Sequence, residues 1–297
     1  MSLSKLVVMY GHIDGARGKF PRDPSGHLAA AASILQKNGL EVSWQHVQGT
    51  EERYRKLEDG SAQISFVVGR AALQHFLSFK KTRILGSSMN SCPYYLVSDR
   101  ANAAIDHLKG KELACLKGVA RIAPLTRCFR EKGLSEGDVR LKLANSDQDA
   151  LDLLIRGEVQ AALVPRPYGL LAAEKGFSKI SDWPDLVDDP LPVMIETTEA
   201  LLREREKDFA AFVTAHREGI RYLKLNRAET IHMLGERFAH SAALAGAAYD
   251  EYLVWLEDRL TIDFRKLQQL VTQVAPALAG SARQVASEWM VPGVLRN

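Results

Sequence analysis

Short apolar runs alternate with longer stretches of mixed polarity over the first two thirds of the chain. The runs that resemble buried strands are KLVVMY (5–10), LEVSWQHV (40–47), QISFVVG (63–69), TRILGSS (82–88), YYLVS (94–98), ELACLK (112–117), VRLKLA (139–144), QAALVP (160–165) and PVMIET (192–197). Stretches with helical spacing fill the gaps. This alternation predicts an α/β chain with largely parallel sheets. From about residue 198 the pattern becomes almost entirely helical.

Two segments of the chain follow the same order of features. RKLEDGSAQISFVVGRAALQHF and DLLIRGEVQAALVPRPYGLLAAEKG both contain a helix end, a glycine, a glutamine, an apolar strand, an arginine and an apolar helix. The matching residues are Gly60 with Gly157, Gln63 with Gln160, Leu73 with Leu170 and, one position out of step, Arg70 with Arg166. The pattern indicates two similar lobes, although two unrelated α/β units can also produce it by chance.

The arginines of this repeat lie where ligands usually bind. Open α/β sheets bind ligands beyond the carboxyl ends of their strands, and Arg70 and Arg166 each follow a strand there. A third strand ends at Lys117-Gly118 and leads directly into a helix, whose first N–H groups are free to bind an anion. Together these features predict a site for a small anion.

Composition limits the possible classes of protein. The chain has 297 residues, of which 46% are hydrophobic and 25% charged, so it is expected to be globular, with two lobes. A net charge of +3 without a basic run argues against nucleic-acid binding. No apolar run has the length of a membrane-spanning helix. The three cysteines, Cys92, Cys115 and Cys128, contain no CxxC pair and are interpreted as core residues.

Several segments, in their order and spacing, resemble the type-2 periplasmic solute-binding proteins of ABC importers. They include KLVVMYG, ILQKNGLEVSWQ, YRKLEDGSAQISFVVG, SCPYYLVSD, AIDHLKGKELACLKG and LIRGEVQAALVPRPY. The nitrate, sulfonate and taurine group is most similar, and the thiamine-precursor pyrimidine synthases are related to it. The resemblance implies two α/β lobes, joined by crossover strands at YYLVSD and PVMIETT, that close over a ligand by a hinge motion. Residues 1–97 and 193–297 would form one lobe and 98–192 the other.

The resemblance also implies which residues bind the ligand. These lie in the loop after the first strand, the turn after QISFVV, the loop at Ser87-Ser88, the helix start at Gly118 and the PRPY turn. The candidates are His12, Arg17, Gly69, Arg70, Ser88, Gly118, Arg121, Arg166 and Tyr168. Relatives commonly have a small residue in place of Arg70 and an acidic or aromatic residue in place of Arg166. Both departures favour an anionic ligand.

Alternatives to these roles stay open. The alternative to ligand binding by Arg70 is a surface ion pair. The alternative for Tyr168 is a place in the core. The first loop, GHIDGARGKFPRDPSGH, is longer and more charged than in the family. It is either a lid or a solvated connection.

The function implied by the resemblance is capture of a small anionic solute for an ABC permease. The expected solute is a sulfonate, nitrate or carboxylate. We expect a monomeric periplasmic protein whose leader has been removed, with no cofactor, no metal and no catalytic residues. The first alternative is a soluble, cytoplasmic enzyme of the same fold, similar to decarboxylases or desulfinases, with His12 as general acid or base. Residues 10–27 lack the nucleophilic cysteine of the desulfinases. A ligand-sensing domain is a further alternative.

Overall fold

A computed structural model describes residues 3–10, 33–47, 49–90, 94–101, 103–117, 119–135, 137–181, 193–238 and 240–296. Only the backbone is described for residues 119–121, 123, 124, 166, 167, 237, 238, 295 and 296. The described residues form two compact units. Unit 1 contains those up to residue 90 and those from residue 193 onward, and unit 2 contains those from 94 to 181. The lobe boundaries after residues 97 and 192 stay predictions.

The strands of the described residues lie in three sheets. In chain order they are β1 (Ser4–Tyr10), β2 (Leu40–His46), β3 (Ile64–Val68), β4 (Thr82–Met89), β5 (Tyr94–Ser98), β6 (Glu112–Leu116), β7 (Arg140–Ala144), β8 (Ala161–Pro165), β9 (Ser178–Lys179), β10 (Val193–Thr198), β11 (Ile262–Asp263) and β12 (Leu295–Arg296). All nine strands predicted from the apolar runs are present, with bounds that agree within one residue. The short strands β9, β11 and β12 were not predicted.

The two large sheets have the same internal order. Unit 1 has the order β2-β1-β3-β10-β4, and unit 2 has the order β7-β6-β8-β5-β9. The predicted crossover strands, β10 and β5, occupy the fourth place in each sheet. Each runs antiparallel to both of its neighbours, whereas the first three strands of each sheet are parallel. Four of the five strands in each sheet thus run in the same direction, which agrees with the expectation of largely parallel sheets, and the reversed fourth strand makes each sheet mixed.

Helices cover these sheets, as the α/β pattern predicted. The described α-helices are α1 (Ile34–Lys37), α2 (Thr50–Glu58), α3 (Gly69–Phe79), α4 (Val119–Glu131), α5 (Asp147–Ile155), α6 (Arg166–Glu174), α7 (Glu199–Glu204), α8 (Glu206–Leu225), α9 (Arg227–Phe238), α10 (Ala242–Leu253), α11 (Phe264–Val274) and α12 (Ala282–Trp289). Two 3₁₀ helices span Ile105–Leu108 and Pro276–Ser281. Except for β10, β11 and β12, the described chain after residue 193 is helical or in short connections, which confirms the predicted change of pattern.

The internal repeat appears as a shared local structure. Gly60 and Gly157 have φ values of 73° and 71°, a conformation that glycine adopts without strain. Gln63 donates its backbone N–H to the carbonyl oxygen of Val7 over 2.9 Å, and its side-chain Oε1 accepts the Val7 N–H over 2.7 Å. Gln160 makes the same two bonds with Glu112, over 3.0 and 3.1 Å. Each glutamine thus fixes the start of the third strand against the second strand of its own sheet.

Each unit has its own apolar core. In unit 1, α3, α11 and α12 pack on β4 and β10 around Trp289, which is fully buried and stacks on Phe76 at 5.5 Å between ring centroids. In unit 2, Cys115 and Cys128 are buried and free, which confirms the interpretation of these two as core residues. Burial raises the pKa of the Cys115 thiol to about 11. Cys92 lies outside the described residues.

Candidate functional site

The carboxyl ends of four strands share one edge of the unit 1 sheet. The strands β2, β1 and β3 are parallel, and β4 has the same direction because both it and β3 are antiparallel to β10. Their last residues are His46, Tyr10, Val68 and Met89. This edge is where an open α/β sheet offers groups to a ligand.

Arg70 lies at this edge, in the first turn of α3. The strand β3 ends at Val68, and α3 begins at Gly69, as the predicted turn requires. Arg70 is only 7% exposed, and its Nη2 donates to Oε1 of Gln273 on α11 over 2.7 Å. The guanidinium is therefore positioned by a partner 203 residues away in the sequence. Its burial shows that Arg70 is not a surface ion-pair residue, and its role in binding stays a prediction.

Ser87 and Ser88 also belong to this edge, but they lie within β4 and not in a loop as predicted. Both side chains are fully buried. The Ser87 Oγ lies 2.7 Å from the carbonyl oxygen of Met89 and 3.1 Å from that of Val193, so it is used inside the sheet. The Ser88 Oγ has no hydrogen-bond partner among the described residues. A buried hydroxyl without a partner is costly, so Ser88 is suited to bind a polar ligand atom.

Sequence reasoning missed an aromatic group at the same edge. Tyr10 ends β1 and His46 ends β2, and their rings meet edge to face with centroids 6.0 Å apart. The Trp44 ring lies 6.2 Å from Tyr10. Burial, with a smaller contribution from the Arg53 guanidinium, lowers the pKa of His46 below its ordinary value of 6.5. This histidine is therefore neutral at pH 7. The rule that ligands bind beyond the carboxyl ends of strands, which identified Arg70, would also have identified Tyr10 and His46 from the sequence.

The corresponding edge of unit 2 carries Lys117. This residue directly follows β6, and its Nζ donates to Oδ1 of Asn145, just after β7, over 3.1 Å. The next residue, Ser146, caps α5 by accepting the Asp149 N–H on its Oγ over 2.9 Å. Lys117 and Asn145 are both exposed. The sequence analysis singled out Lys117-Gly118 for its backbone donors only, and the structure adds the lysine side chain as a candidate.

The other predicted residues fall into two groups. Tyr168 lies on α6 and is 0% exposed, which fits the core alternative, and its role in binding stays a prediction. Arg166 begins α6 and Arg121 lies in α4, each described by its backbone alone. The predicted positions outside the described residues are His12, Arg17 and Gly118.

Two further searches apply to the described part of the chain. No group of three or more His, Cys, Asp or Glu side chains is placed there to hold a metal ion. No helix in the described ranges is both long enough and apolar enough to cross a membrane.

Solved structures with the same fold exist, although no family model and no curated protein sequence matches this chain. The periplasmic aliphatic sulphonate binding protein SsuA from Escherichia coli has a TM-score of 0.71 at 17% identity, over 96% of this chain and 94% of that chain. The alkanesulfonate-binding protein SsuA from Xanthomonas axonopodis pv. citri, bound to MOPS, has a TM-score of 0.70 at 16% identity, over 100% and 99%.

A protein from a yeast is also similar. The conserved CA3427 gene product of Candida albicans, which exhibits the generic periplasmic binding protein fold, has a TM-score of 0.69 at 13% identity. That similarity covers 99% of this chain and 98% of that chain. The chain described here therefore has the periplasmic-binding-protein fold, and the predicted resemblance to the solute-binding proteins of ABC importers is confirmed at the level of the fold.

Proposed function

We propose that this protein is the solute-binding component of an ABC importer and captures a small anionic solute of the sulfonate, nitrate or carboxylate type. The observation that carries the proposal is the fold similarity to two sulfonate-binding proteins over 96% and 100% of this chain. The matching strand order of the two sheets supports the same assignment. A permease partner and a periplasmic location are parts of this proposal.

The polar groups at the carboxyl edges support an anionic ligand. In unit 1 the guanidinium of Arg70 lies at this edge together with the hydroxyl of Ser88, which has no hydrogen-bond partner in the described part of the chain. In unit 2 the ammonium group of Lys117 and the start of α6 at Arg166 lie at the equivalent edge. Cationic side chains and helix N-termini both stabilise bound acid groups. A sulfonate or carboxylate satisfies these donors, whereas a cationic solute is repelled by them.

The proposal is tested by calorimetric titration of the purified protein with ethanesulfonate, taurine, nitrate and benzoate. We expect at least one of these anions to bind with one site per chain. Replacement Arg166→Ala should then weaken binding at least tenfold, because a charge-assisted hydrogen bond contributes about 1.5–3 kcal/mol. The matched control is Arg156→Ala. Arg156 is an exposed arginine of the same unit whose Nε lies 2.7 Å from Glu158, and its loss should leave affinity unchanged.

Two results would contradict parts of this proposal. If the Arg166→Ala variant binds the anion as tightly as the wild type, Arg166 is not part of the binding site. If the protein converts the bound anion into a product over time, and His12→Ala abolishes this conversion, the protein is an enzyme and not a solute receptor.

A further inference from the structure

Unit 2 contains a cavity that the proposed function does not use. It has a volume of about 520 Å³ and lies between α4 and β7, beside residues 133–135, 137 and 139. This volume is within the range of about 300–1,000 Å³ that is typical of small-molecule pockets. Four of its lining residues lie on α4, five lie in the connection between α4 and β7, and one, Leu141, lies on β7. The cavity therefore lies mainly towards the amino edge of the unit 2 sheet, where β7 begins, whereas Lys117 follows β6 at the opposite, carboxyl edge.

Apolar side chains form about half of the cavity lining. Phe129 and Leu134 are each 7% exposed and form part of its lining. Ile122 on α4 and Leu141 on β7 are half-buried and face the same space. The strand β7 is at the edge of its sheet, so no further strand within the described ranges pairs with it on this side. An apolar body of the size of one or two aromatic rings would bury part of its surface against these side chains.

Among the described residues, one charged side chain lines the cavity. Arg130, in the last turn of α4, is exposed, and its guanidinium has no ion-pair or hydrogen-bond partner among the described residues. Arg127, one turn earlier, has its Nε 3.8 Å from Glu131. The carboxylate of Asp138 in the connecting segment is also engaged, since it accepts the Ser135 N–H over 2.7 Å. Arg130 is thus a cation at the cavity available to an acid group from solution.

We infer that this cavity is a second ligand site, which binds an amphipathic organic anion with a compact apolar body and one acid group. The apolar body contacts the walls formed by α4 and β7, and the acid group pairs with Arg130. An aromatic carboxylate has this chemistry. The site is independent of the carboxyl-edge residues proposed above, so occupancy of one is measurable without the other.

The test uses 2-naphthoate as the probe and the full chain labelled in its isoleucine, leucine and valine methyl groups. We expect saturable shifts in the methyl NMR signals of Ile122, Leu134 and Leu141, which report the cavity directly. Arg130→Gln should weaken binding roughly fivefold, because a charge-assisted contact is lost. Arg127→Gln, a change of the same type outside the cavity lining, should leave affinity within twofold. The neutral probe 2-naphthamide should bind the wild type as weakly as 2-naphthoate binds Arg130→Gln.

A second pair of variants tests the cavity itself. Leu141→Trp fills the space and should abolish the shifts at Ile122 and Leu134. Leu143→Trp is the control, because Leu143 lies two residues along the same face of β7, is 53% exposed and does not line the cavity. The inference is overturned if millimolar 2-naphthoate causes no saturable shift at these methyl groups, or if Arg130→Gln and Leu141→Trp bind it like the wild type.

Discussion

Glu196 gives the protein a stability that depends on pH. It lies on β10, between β3 and β4, and is 0% exposed. Burial raises the pKa of its carboxyl to about 8, and the nearby hydroxyls of Thr82 and Tyr54 and the charge of Arg53 counter only part of this rise. Neither carboxyl oxygen has a hydrogen bond of good geometry among the described residues. The folded protein therefore holds this side chain mainly in its neutral form at pH 7.

The size and direction of the effect follow from this pKa. In the unfolded chain the carboxyl has its ordinary pKa of 4.5. Between pH 4.5 and 8 the folded state keeps a proton that the unfolded state has lost, so the free energy of unfolding falls as pH rises. At about 1.36 kcal/mol for each pKa unit, the difference amounts to roughly 5 kcal/mol. The stabilisation is complete below pH 4.5 and is lost as pH rises through 8.

The variant Glu196→Gln isolates this contribution, because glutamine keeps the shape and polarity of the neutral acid but does not ionise. We expect the free energy of unfolding of the variant, relative to the wild type, to increase by several kcal/mol between pH 5 and pH 9. Urea unfolding followed by tryptophan fluorescence measures it, since Trp44, Trp255 and Trp289 all lie in unit 1 with Glu196. Glu51→Gln, at an exposed position of α2, is the control for the loss of one acidic group.

One result would refute the reasoning about Glu196. If the wild type and Glu196→Gln lose or gain stability in parallel from pH 5 to 9, the carboxyl has an ordinary pKa in the folded state. The burial argument would then be wrong.

Three further predictions concern unit 2. A methyl group at Gly169 of α6 would overlap the Tyr95 ring on β5, so Gly169→Ala should destabilise the protein by about 1–3 kcal/mol in urea unfolding. Its effect should shrink in a Tyr95→Ala background. Gln160→Leu removes the acceptor of the Glu112 N–H and should cost about 1–3 kcal/mol in the same measurement; an unchanged midpoint would refute the role of the repeat. Cys115, fully buried and with a raised pKa, should react with a thiol reagent at pH 8 only in denaturant, as mass spectrometry of the labelled peptide would show.

Much of the fold was predictable from the sequence because apolar runs mark buried strands. The crossover segments YYLVS and PVMIET were identified, and both are central strands in the fourth position of their sheets. The direction of these strands was not predictable from their own composition. It depends on which strands of the assembled sheet they pair with, and both run antiparallel to their two neighbours.

The repeat shows why some side-chain contacts can be inferred and others cannot. The matching of Gly60 with Gly157 and of Gln63 with Gln160 corresponds to equal backbone conformations and equal hydrogen bonds. Short sequence motifs and the neighbouring strand of the same sheet determine these contacts.

The contacts of Arg70 and Glu196 depend on residues far away in the chain. Arg70 bonds to Gln273 on α11, and Glu196 lies near Thr82 and Tyr54. The glutamate occurs in a segment recognised only as an apolar strand, and a charged residue in such a strand is equally compatible with an exposed face. Only the assembled sheet shows that it is buried.

The measurement that tests the central claim most directly is native mass spectrometry of the purified protein with the anion that gives the strongest thermal stabilisation. We predict a complex of one anion per chain, from which the anion is recovered unchanged. At one hundred times the dissociation constant, this anion should add about 2.7 kcal/mol to the free energy of unfolding. An anion that is recovered as a different compound, or a protein that no sulfonate, nitrate or carboxylate stabilises, would contradict the assignment as a solute-binding protein for small anions.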